Sequence, residues 1–470
     1  MYTFVYIISS RFEMEDIKLK DLVLATNGVL IVGNENKEVQ SIVIDSRKAS
    51  KNNAFVAIIG ENLDGHKFIK SAYDNGCRIF VISDMEVVLP EGEDINVVLV
   101  KDTQLAMGNI ASYYKAKFNI PYIGVTGSVG KTTTRDMIHS ALTGKYNTHK
   151  NVGNLNNHLG VPLTLFELNS SHECAVLEMG MSHFGEIEYL ADMVHPEVGV
   201  ISNIGLSHVE NLGSQEGVLK AKLEITKNFT KDNLLVVNGD DKFLATLKNQ
   251  DLPYRLKTFG FGQDNDIYCK EYTLTTTDIS FTCVINGKEE YFNVPALGEH
   301  NILNAMSAIV VGLELGLSID EIKNGLSAYT ATGMRLDIIK KNDFTIINDC
   351  YNASPDSMKS ALKVLSAFDN RKVAILGDMF EMGDMSEAGH REVGKECLGN
   401  IDVLIAVGKD AFYILDEADI NGFEKKNLYY FSTKESLMDS LCSILRKEDV
   451  ILVKASRGMK LEDVIESIIN

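Results

Sequence analysis

Short apolar runs alternate with stretches of helical spacing along most of the chain. The runs are rich in Val and Ile, and they predict strands that are covered on both faces. Helical patterns lie between them, which is typical of parallel sheets flanked by helices. The predicted strands cover residues 42–44, 55–58, 79–82, 97–100, 122–125, 175–177, 198–201, 234–237, 345–347, 373–376, 403–407 and 450–453.

The rhythm of these elements predicts an α/β protein of three domains. Residues 1–119 form a small first domain, in which 1–13 could be an extension that precedes a true start at Met14. Residues 120–332 open with a strand, a loop and a helix, and an antiparallel hairpin with Asn286-Gly287 at its turn is appended to their parallel sheet. Residues 333–470 have the pattern of an open, doubly wound sheet, with a helix over 357–368.

Composition then excludes several classes of protein. Acidic residues outnumber basic ones by 65 to 46, giving a net charge of −19, so a general nucleic-acid binder is disfavoured. The seven cysteines form no C-x-x-C pair, which predicts reduced thiols and a cytoplasmic location. No apolar run approaches the roughly 20 residues of a membrane helix, and the first ten residues lack the basic region of a signal peptide.

The first candidate site is a phosphate-binding loop. It follows a predicted strand, precedes a predicted helix, and consists of Gly127, Ser128, Val129, Gly130, Lys131, Thr132 and Thr133. Backbone amides there can approach phosphates, Lys131 can neutralise them, and the Thr132 hydroxyl can bind Mg²⁺. The general pattern has Gly where this chain has Val125, so a simple turn with a surface lysine is the alternative.

Two further residues, Glu178 and His208, could complete a metal site. Glu178 and His208 each follow a predicted strand, where open α/β sheets bind their ligands. A carboxylate suits Mg²⁺, whereas an isolated imidazole is more often a surface or capping group. The pattern around Lys222 is by itself typical of a solvated helix face.

Several motifs in order resemble those of the Mur ligases, the ATP-dependent amino-acid ligases of peptidoglycan precursor synthesis. The resemblance runs from about Leu22 to Leu461, and the shorter phosphate loop of that family accounts for Val125. The motifs that carry it are Gly127–Thr133, Asn154-Leu155-Asn156-Asn157, Glu178-Met179-Gly180, Asn203–His208, Ala221–Ile225 and Gly298–Ala305.

The resemblance implies a nucleotide and metal site. It implies bound ATP and two Mg²⁺ ions, held by Thr132, Glu178, His208 and a Lys222 that CO₂ has converted to a carbamate. His300, Asn301 and Asn304 match the motif that lines the adenine pocket. Arg335 matches an arginine that reaches the nucleotide phosphates once the domains close.

The resemblance also implies substrate contacts. The residues concerned are Ser46, Arg47, Asp64 and His66 for the UDP-sugar, Asn154, Asn156 and Asn157 for the substrate channel, and Ser456 and Arg457 near the dipeptide. The segment from Asp349 to Met358, with Tyr351 and Asn352, is similar to the D-x-Y-N-A-x-P-x-S-M signature of the last ligase in the series. A polar turn that caps a helix is the alternative for several of these segments.

The implied reaction joins D-alanyl-D-alanine to UDP-N-acetylmuramoyl-tripeptide through an acyl phosphate, with release of ADP. The resemblance implies a cytoplasmic monomer that binds neither nucleic acid nor membrane. Two alternatives stay open. One is the preceding ligase, which adds lysine or diaminopimelate as the third amino acid, and the other is a non-catalytic descendant that binds ATP.

Overall fold

The structure is a computed structural model, and it describes residues 14–60, 62–92 and 94–470. The predicted extension, residues 1–13, lies outside these ranges. The described chain folds around three main sheets, which confirms the α/β class. Among the described helices, none is long and apolar enough to cross a membrane.

The first sheet has five strands in the order β2-β7-β6-β5-β4, and β2 alone runs antiparallel to its neighbour. β1 and β3 form a separate antiparallel pair. The strands are β1 Ile17–Lys18, β2 Val29–Val32, β3 Glu38–Val39, β4 Ser41–Val43, β5 Asn53–Val56, β6 Ile79–Ile82 and β7 Asn96–Leu99. The helices are α1 Leu19–Thr26, α2 Ile69–Asp74 and α3 Thr103–Lys115.

The second sheet has nine strands in the order β16-β15-β14-β13-β12-β11-β8-β10-β9. The strands are β8 Tyr122–Thr126, β9 Thr148–Lys150, β10 Cys174–Glu178, β11 Val198–Ile201, β12 Leu234–Asn238, β13 Arg255–Gly260, β14 Ile267–Leu274, β15 Ile279–Ile285 and β16 Lys288–Val294. The helices are α4 Lys131–Leu142, α5 Gly160–Leu165, α6 Glu186–Val194, α7 Val209–Leu212, α8 Gln215–Leu223, α9 His300–Glu314 and α10 Ile319–Ser327.

The predicted hairpin is present and continues the second sheet. Asn286 and Gly287 both have positive φ, 50° and 76°, as a tight two-residue hairpin turn requires. β14, β15 and β16 are antiparallel, while β14 pairs in parallel with β13. Alternation of buried and half-buried residues along β15 lays one face of this extension on the core beneath α9 and α10.

The third sheet has six strands in the order β17-β18-β22-β19-β20-β21, parallel except for β17. The strands are β17 Asp337–Lys341, β18 Phe344–Asn348, β19 Lys372–Gly377, β20 Val403–Val407, β21 Leu428–Phe431 and β22 Val450–Lys454. The helices are α11 Pro355–Ser366, α12 Ser386–Cys397, α13 Phe412–Ile420, α14 Lys434–Met438, α15 Leu441–Ile444 and α16 Glu462–Ile469.

The predicted strands lie within one or two residues of the observed ones. The sequence pattern missed β1, β2, β3, β9, β13, β17 and β21. Of these, β1, β3 and β9 have only two or three residues, and β2, β9, β17 and β21 lie at sheet edges. The predicted helix over 357–368 starts two residues earlier, because Ser354 begins a capping box and Pro355 suits the first helical turn. The domain boundaries themselves stay a prediction.

Tyr114 holds the first domain on the second. Its buried hydroxyl accepts a hydrogen bond from Glu15 N at 2.7 Å and donates to the Leu168 carbonyl at 2.6 Å. We expect Tyr114→Phe to lower the free energy of unfolding by about 1–3 kcal/mol, because both partners lose their bond inside the protein. Denaturant titration measures this. The control is Tyr113→Phe, a half-buried neighbour bonded to Asp21, and an equal loss there would contradict the role of Tyr114.

Candidate active site

One cavity of 1210 Å³ lies between the second and third domains. It is lined by the loops after β8, β9, β10 and β11, the start of α9, and the third-domain loops after β18, β19 and β22. Most of the predicted site residues therefore meet in one place. They are Ser128, Val129, Gly130, Lys131, Thr132, Thr133, Asn154, Asn156, Asn157, Glu178, His208, His300, Asn301, Asn304, Arg335, Asp349, Tyr351, Asn352, Ser456 and Arg457.

The phosphate-binding loop is locked to the loop after β11. Asn203 accepts from Val129 N at 2.9 Å and donates back to the Val129 carbonyl at 2.8 Å. Ser202 donates to the same carbonyl at 2.7 Å. Gly127 and Gly130 have φ of 154° and 83°, which side chains rarely adopt. The loop is therefore held open with its amides at the N-terminus of α4, a suitable cradle for phosphate.

Lys131 begins α4 and folds back over the loop, where its ammonium donates to the Gly127 carbonyl at 2.9 Å. Burial lowers the pKa of Lys131, and Arg335 nearby lowers it further, against the opposing effect of Glu178. The side chain therefore lies among other charges inside the cavity, which excludes the alternative of a lysine on an ordinary surface turn.

Glu178 is the buried carboxylate of the site, 2% exposed at the end of β10. One carboxylate oxygen accepts from the Thr132 hydroxyl at 2.7 Å, and the other accepts from Asn156 at 2.7 Å. Its backbone N–H and carbonyl bond both ends of the Asn151 amide. The strand end, the helix start and the loop after β9 are thus fastened together at one residue.

Lys222 lies on α8 and is 2% exposed, so the expectation of a solvated helix face was wrong. The spacing of the pattern hid this, because α8 is too short to present a clear polar side. Within the described ranges its ammonium has no hydrogen-bond acceptor or ion-pair partner. Burial lowers the pKa of Lys222 well below its usual range, and Lys131 adds repulsion, which favours the neutral amine.

His208 and His300 both line the cavity. His208 lies at φ 61°, and its Nδ1 is 3.4 Å from a carboxylate oxygen of Glu381 in the third domain. Burial, together with the nearby charges of Lys131 and Lys222, lowers the pKa of His208 to about 4. Burial also lowers the pKa of His300 to about 4, with Lys454 as a second cause. Both imidazoles are therefore neutral near pH 7.

Asn301 and Asn304 brace the phosphate-binding loop from α9. Asn304 accepts from the Thr134 hydroxyl at 2.9 Å and donates to Asn301 at 2.8 Å. Asn301 in turn donates to the Leu297 carbonyl at 2.7 Å. This chain of bonds fixes α9 to α4, so the two side chains are already engaged.

Arg335 crosses from the third domain onto the loop. Its guanidinium donates to the Thr132 hydroxyl at 2.9 Å and stacks on the Tyr351 ring at 3.9 Å from the centroid. The Thr132 hydroxyl thus accepts from Arg335 and donates to Glu178. Arg335 therefore contacts the Thr132 hydroxyl, beside which nucleotide phosphates and a cation are expected to bind.

Behind Tyr351 lies a buried ion pair between Asp349 and Lys454. Lys454 Nζ is 2.6 Å from the Asp349 carboxylate and donates to the Asn352 carbonyl at 2.8 Å. Burial raises the pKa of Asp349, against the opposing effect of Lys454. The pair fixes the signature segment to the end of β22, so Tyr351 and Asn352 have a defined position.

Other predicted residues have structural partners. Asn157 accepts from the N–H groups of Leu159 and Gly160 at the start of α5. Ser456 accepts from Phe380 N at 2.8 Å, and Arg457 is paired with Glu462 at 2.6 Å. Their roles toward a substrate stay predictions.

The first-domain candidates do not line the cavity. His66 is buried, bonds Asp64 through Nδ1 at 2.8 Å, and accepts from Ser83 N through Nε2 at 3.0 Å. Arg47 lies on the surface and is paired with Asp45 at 2.7 Å, beside the buried Ser46. Among predicted residues of the second domain, Gly127 and Lys222 are not part of the cavity lining.

Sequence reasoning missed a buried charge network beneath the loop. Arg135 is fully buried, and its guanidinium donates to Asp136 at 2.7 Å and lies 3.5 Å from Glu178. Lys150 donates to the same Asp136 oxygen at 2.8 Å. Burial raises the pKa of Asp136, but Arg135 and Lys150 more than offset this and lower it overall. A charged pair on a helix looks like an exposed face in sequence, so only its place beside the glycine loop could have signalled it.

The described side chains form no cluster of three or more His, Cys, Asp or Glu that could hold a metal. A cation would therefore depend on mixed ligands. Thr132 and Glu178 supply two oxygen donors that already touch each other, and Mg²⁺ prefers oxygen. Lys131, Arg135 and Arg335 make the surroundings positive, which suits a polyphosphate.

Comparison with known proteins identifies the relatives of this chain. Three family descriptions match: "Mur ligase family, catalytic domain" over residues 38–123, "Mur ligase middle domain" over 125–312, and "Mur ligase, glutamate ligase domain" over 334–457. The UDP-N-acetylmuramoyl-tripeptide–D-alanyl-D-alanine ligase of Bacillus subtilis is 40% identical, over 93% of this chain and 94% of that relative.

Two solved structures are also similar over most of the chain. MurF from Acinetobacter baumannii superposes with a TM-score of 0.89 at 31% identity, covering 97% of this chain and 99% of that one. The MurF ligase of Thermotoga maritima, solved in complex with ADP, has a TM-score of 0.80 at 26% identity over 91% of this chain and 96% of that one.

Gly127 tests the cradle. A Cβ there would overlap the Ser202 hydroxyl, so we expect Gly127→Ala to weaken binding of a non-hydrolysable ATP analogue by about tenfold or more. Calorimetric titration measures the affinity. The control is Gly287→Ala, since Gly287 also has positive φ but open space around it. Unchanged affinity in the Gly127 variant would show that phosphate does not bind at this loop.

Proposed function

The chain belongs to the Mur ligase family, and from this we propose that it ligates D-alanyl-D-alanine to UDP-N-acetylmuramoyl-tripeptide with conversion of ATP to ADP and phosphate. The observation that carries the proposal is the match over nearly the whole chain to ligases of that name. The enzyme then acts in peptidoglycan precursor synthesis. We place it in the cytoplasm as a monomer.

The choice of acceptor rests on the segment from Asp349 to Met358. It carries the signature of the D-alanyl-D-alanine-adding branch, and the Asp349–Lys454 ion pair holds it at the wall of the cavity. A ligase that adds lysine or diaminopimelate is the second candidate, since it shares the rest of the machinery.

The first chemical step is phosphoryl transfer. A carboxylate oxygen of the tripeptide attacks the γ-phosphorus of ATP, the bond to the β-γ bridging oxygen breaks, and an acyl phosphate and ADP form. Such a transfer needs mainly alignment and charge stabilisation. The amides of the loop and Lys131 hold the phosphates, and Arg335 adds a forked positive group on the side of the third domain.

The second step forms the peptide bond. The uncharged amine of the dipeptide attacks the acyl carbon, phosphate leaves with the bonding electron pair, and the amine loses a proton. Water would destroy the acyl phosphate, so the closed position of the third domain against the second protects it. The contacts Arg335–Thr132 and Glu381–His208 hold the third domain in that position.

Thr132 and Glu178 fit the hard oxygen donors that Mg²⁺ prefers, and His208 faces the same space. When bound, Mg²⁺ supplies Lewis-acid stabilisation of the phosphate charge. Lys222 offers a nitrogen ligand as it stands, but its amine is buried and has no partner among the described residues, so it is suited to take up CO₂ and become a carbamate oxygen ligand. We include that carbamate in the proposal.

The proposal is tested by phosphate release from ATP with purified protein, Mg²⁺ and bicarbonate. One reaction contains UDP-N-acetylmuramoyl-tripeptide and D-alanyl-D-alanine, and the other contains the dipeptide precursor with lysine or diaminopimelate. We expect turnover only in the first. Turnover only in the second reaction would be consistent with the family but would contradict D-alanyl-D-alanine as the acceptor. Turnover in neither reaction would contradict the proposed ligase activity.

We expect Lys222→Ala to lose nearly all activity, because the oxygen ligand that a carbamate provides is gone. Short carboxylic acids such as acetate should restore part of it by filling the space. The control is Lys220→Ala, an exposed lysine on the same helix, which should keep wild-type rates. Full activity of Lys222→Ala without any additive would contradict the carbamate.

We expect Arg335→Ala to lower kcat by about a hundredfold while ATP still binds, because the lost contact stabilises charge in the transition state. Single-turnover kinetics separate this loss from substrate binding. Arg446→Ala, which removes an exposed arginine of the same domain, is the control. An unchanged chemical step in Arg335→Ala would rule out its part in phosphoryl transfer.

A further inference from the structure

The linker from the second to the third domain runs along one face of α4. Thr332 donates to an oxygen of Asp136 at 2.6 Å, and three residues later Arg335 donates to Thr132 at 2.9 Å. Thr132 and Asp136 are one helical turn apart, so their side chains lie on the same face. Two hydrogen bonds therefore set the position of the linker along the helix.

Asp136 is held rigidly enough to serve as an anchor. It is 3% exposed, and one of its oxygens accepts from Arg135 through Nε and NH2, at 2.9 and 2.7 Å, and from Lys150 at 2.8 Å. Its second oxygen accepts only from the Thr332 hydroxyl among the described residues. Arg135 and Lys150 thus orient the carboxylate, and its second oxygen faces the linker at Thr332.

Beyond Thr332 the linker is fastened to the third domain instead. The Met334 carbonyl accepts from Tyr351 N at 3.2 Å, and Leu336 N donates to Asp349 at 3.2 Å. Met334 and Leu336 have φ of 55° and 52°, a conformation that non-glycine residues keep only when their surroundings hold it. Arg335, between them, therefore moves as part of the third domain.

Gly333 is the residue between the two sets of contacts. A side chain added there would meet no atom within 4 Å, so its backbone has room to rotate. Thr332 on one side belongs to the second domain through Asp136, and Met334 on the other belongs to the third through Tyr351. The structure therefore confines the pivot to a single position.

We propose that Asp136 is a positioning residue, which anchors Thr332 so that rotation about Gly333 delivers Arg335 onto Thr132. Asp136 acts through the linker and Arg335. The inference rests on the proposed function, in which Arg335 stabilises the transferred phosphate. In addition, the network of Arg135, Asp136 and Lys150 in the second domain sets the orientation in which Arg335 reaches Thr132.

The test uses the full-length enzyme with Thr332→Val, which replaces the hydroxyl by a methyl group of similar size, and Thr332→Ser, which keeps the hydroxyl. We expect Thr332→Val to lower kcat about tenfold, the usual effect of losing a hydrogen bond to a charged group, with KM for ATP nearly unchanged. Thr332→Ser should keep kcat near that of the wild type. Equal kcat values in the two variants would overturn the anchor.

A double-mutant cycle separates positioning from simple packing. If Thr332 acts through Arg335, then Thr332→Val should have no further effect on the residual turnover of Arg335→Ala. The same tenfold loss in both backgrounds would show that Thr332 acts independently of Arg335, and would overturn the proposal. Thermal unfolding of each variant establishes that the fold is retained.

A second readout needs no turnover. Cys442 is the exposed cysteine among the described thiols, so one dye can be placed on it in the third domain and another on Lys231→Cys in the second. With a non-hydrolysable ATP analogue, we expect wild type and Thr332→Ser to give one narrow inter-dye distance and Thr332→Val a broader one. Equal widths would overturn the anchor. Failure of the wild type to turn over either substrate pair would instead overturn the proposed function.

Discussion

The assembly of the site depends on the hydrogen bonds and charges that surround the buried carboxylate of Glu178. A buried carboxylate costs several kcal/mol unless hydrogen bonds and cations surround it. Here Thr132 and Asn156 each donate to one of its oxygens, and Arg135 lies at 3.5 Å. Because these partners come from α4 and the loop after β9, satisfying one charge brings both to the end of β10.

Thr132 passes this constraint on to the third domain. Its hydroxyl donates to Glu178 and accepts from Arg335. The hydroxyl that fixes Glu178 therefore also holds the third domain in its closed position. The carboxyl ends of β8, β10 and β11 face those of β18 and β22 across the cavity. Two sheets that each place ligand-binding loops at one edge thus form one site only when they close on each other.

Much of this could be predicted from the sequence, because strands buried on both faces leave continuous apolar runs, and glycines beside Lys131 leave a readable pattern. The missed features lack such signals. Lys222 is buried on the short helix α8, whose spacing shows no clear buried face, and Arg135 with Asp136 becomes a buried network only through Lys150 and Glu178, which are distant in sequence. The place of Asn301 and Asn304 beside adenine stays a prediction, and their hydrogen bonds to each other and to Thr134 on α4 left no signal in the sequence.

We infer that Glu178 organises the site, and we propose that it provides an oxygen ligand for a bound cation. The most direct measurement is calorimetric titration of Glu178→Gln with an ATP analogue, with and without Mg²⁺. We expect the variant to stay folded, to bind the analogue without Mg²⁺ about as well as the wild type does, and to lose the gain in affinity that Mg²⁺ gives the wild type. If Mg²⁺ raised the affinity of the variant for the analogue as much as that of the wild type, Glu178 would not be a ligand of the cation.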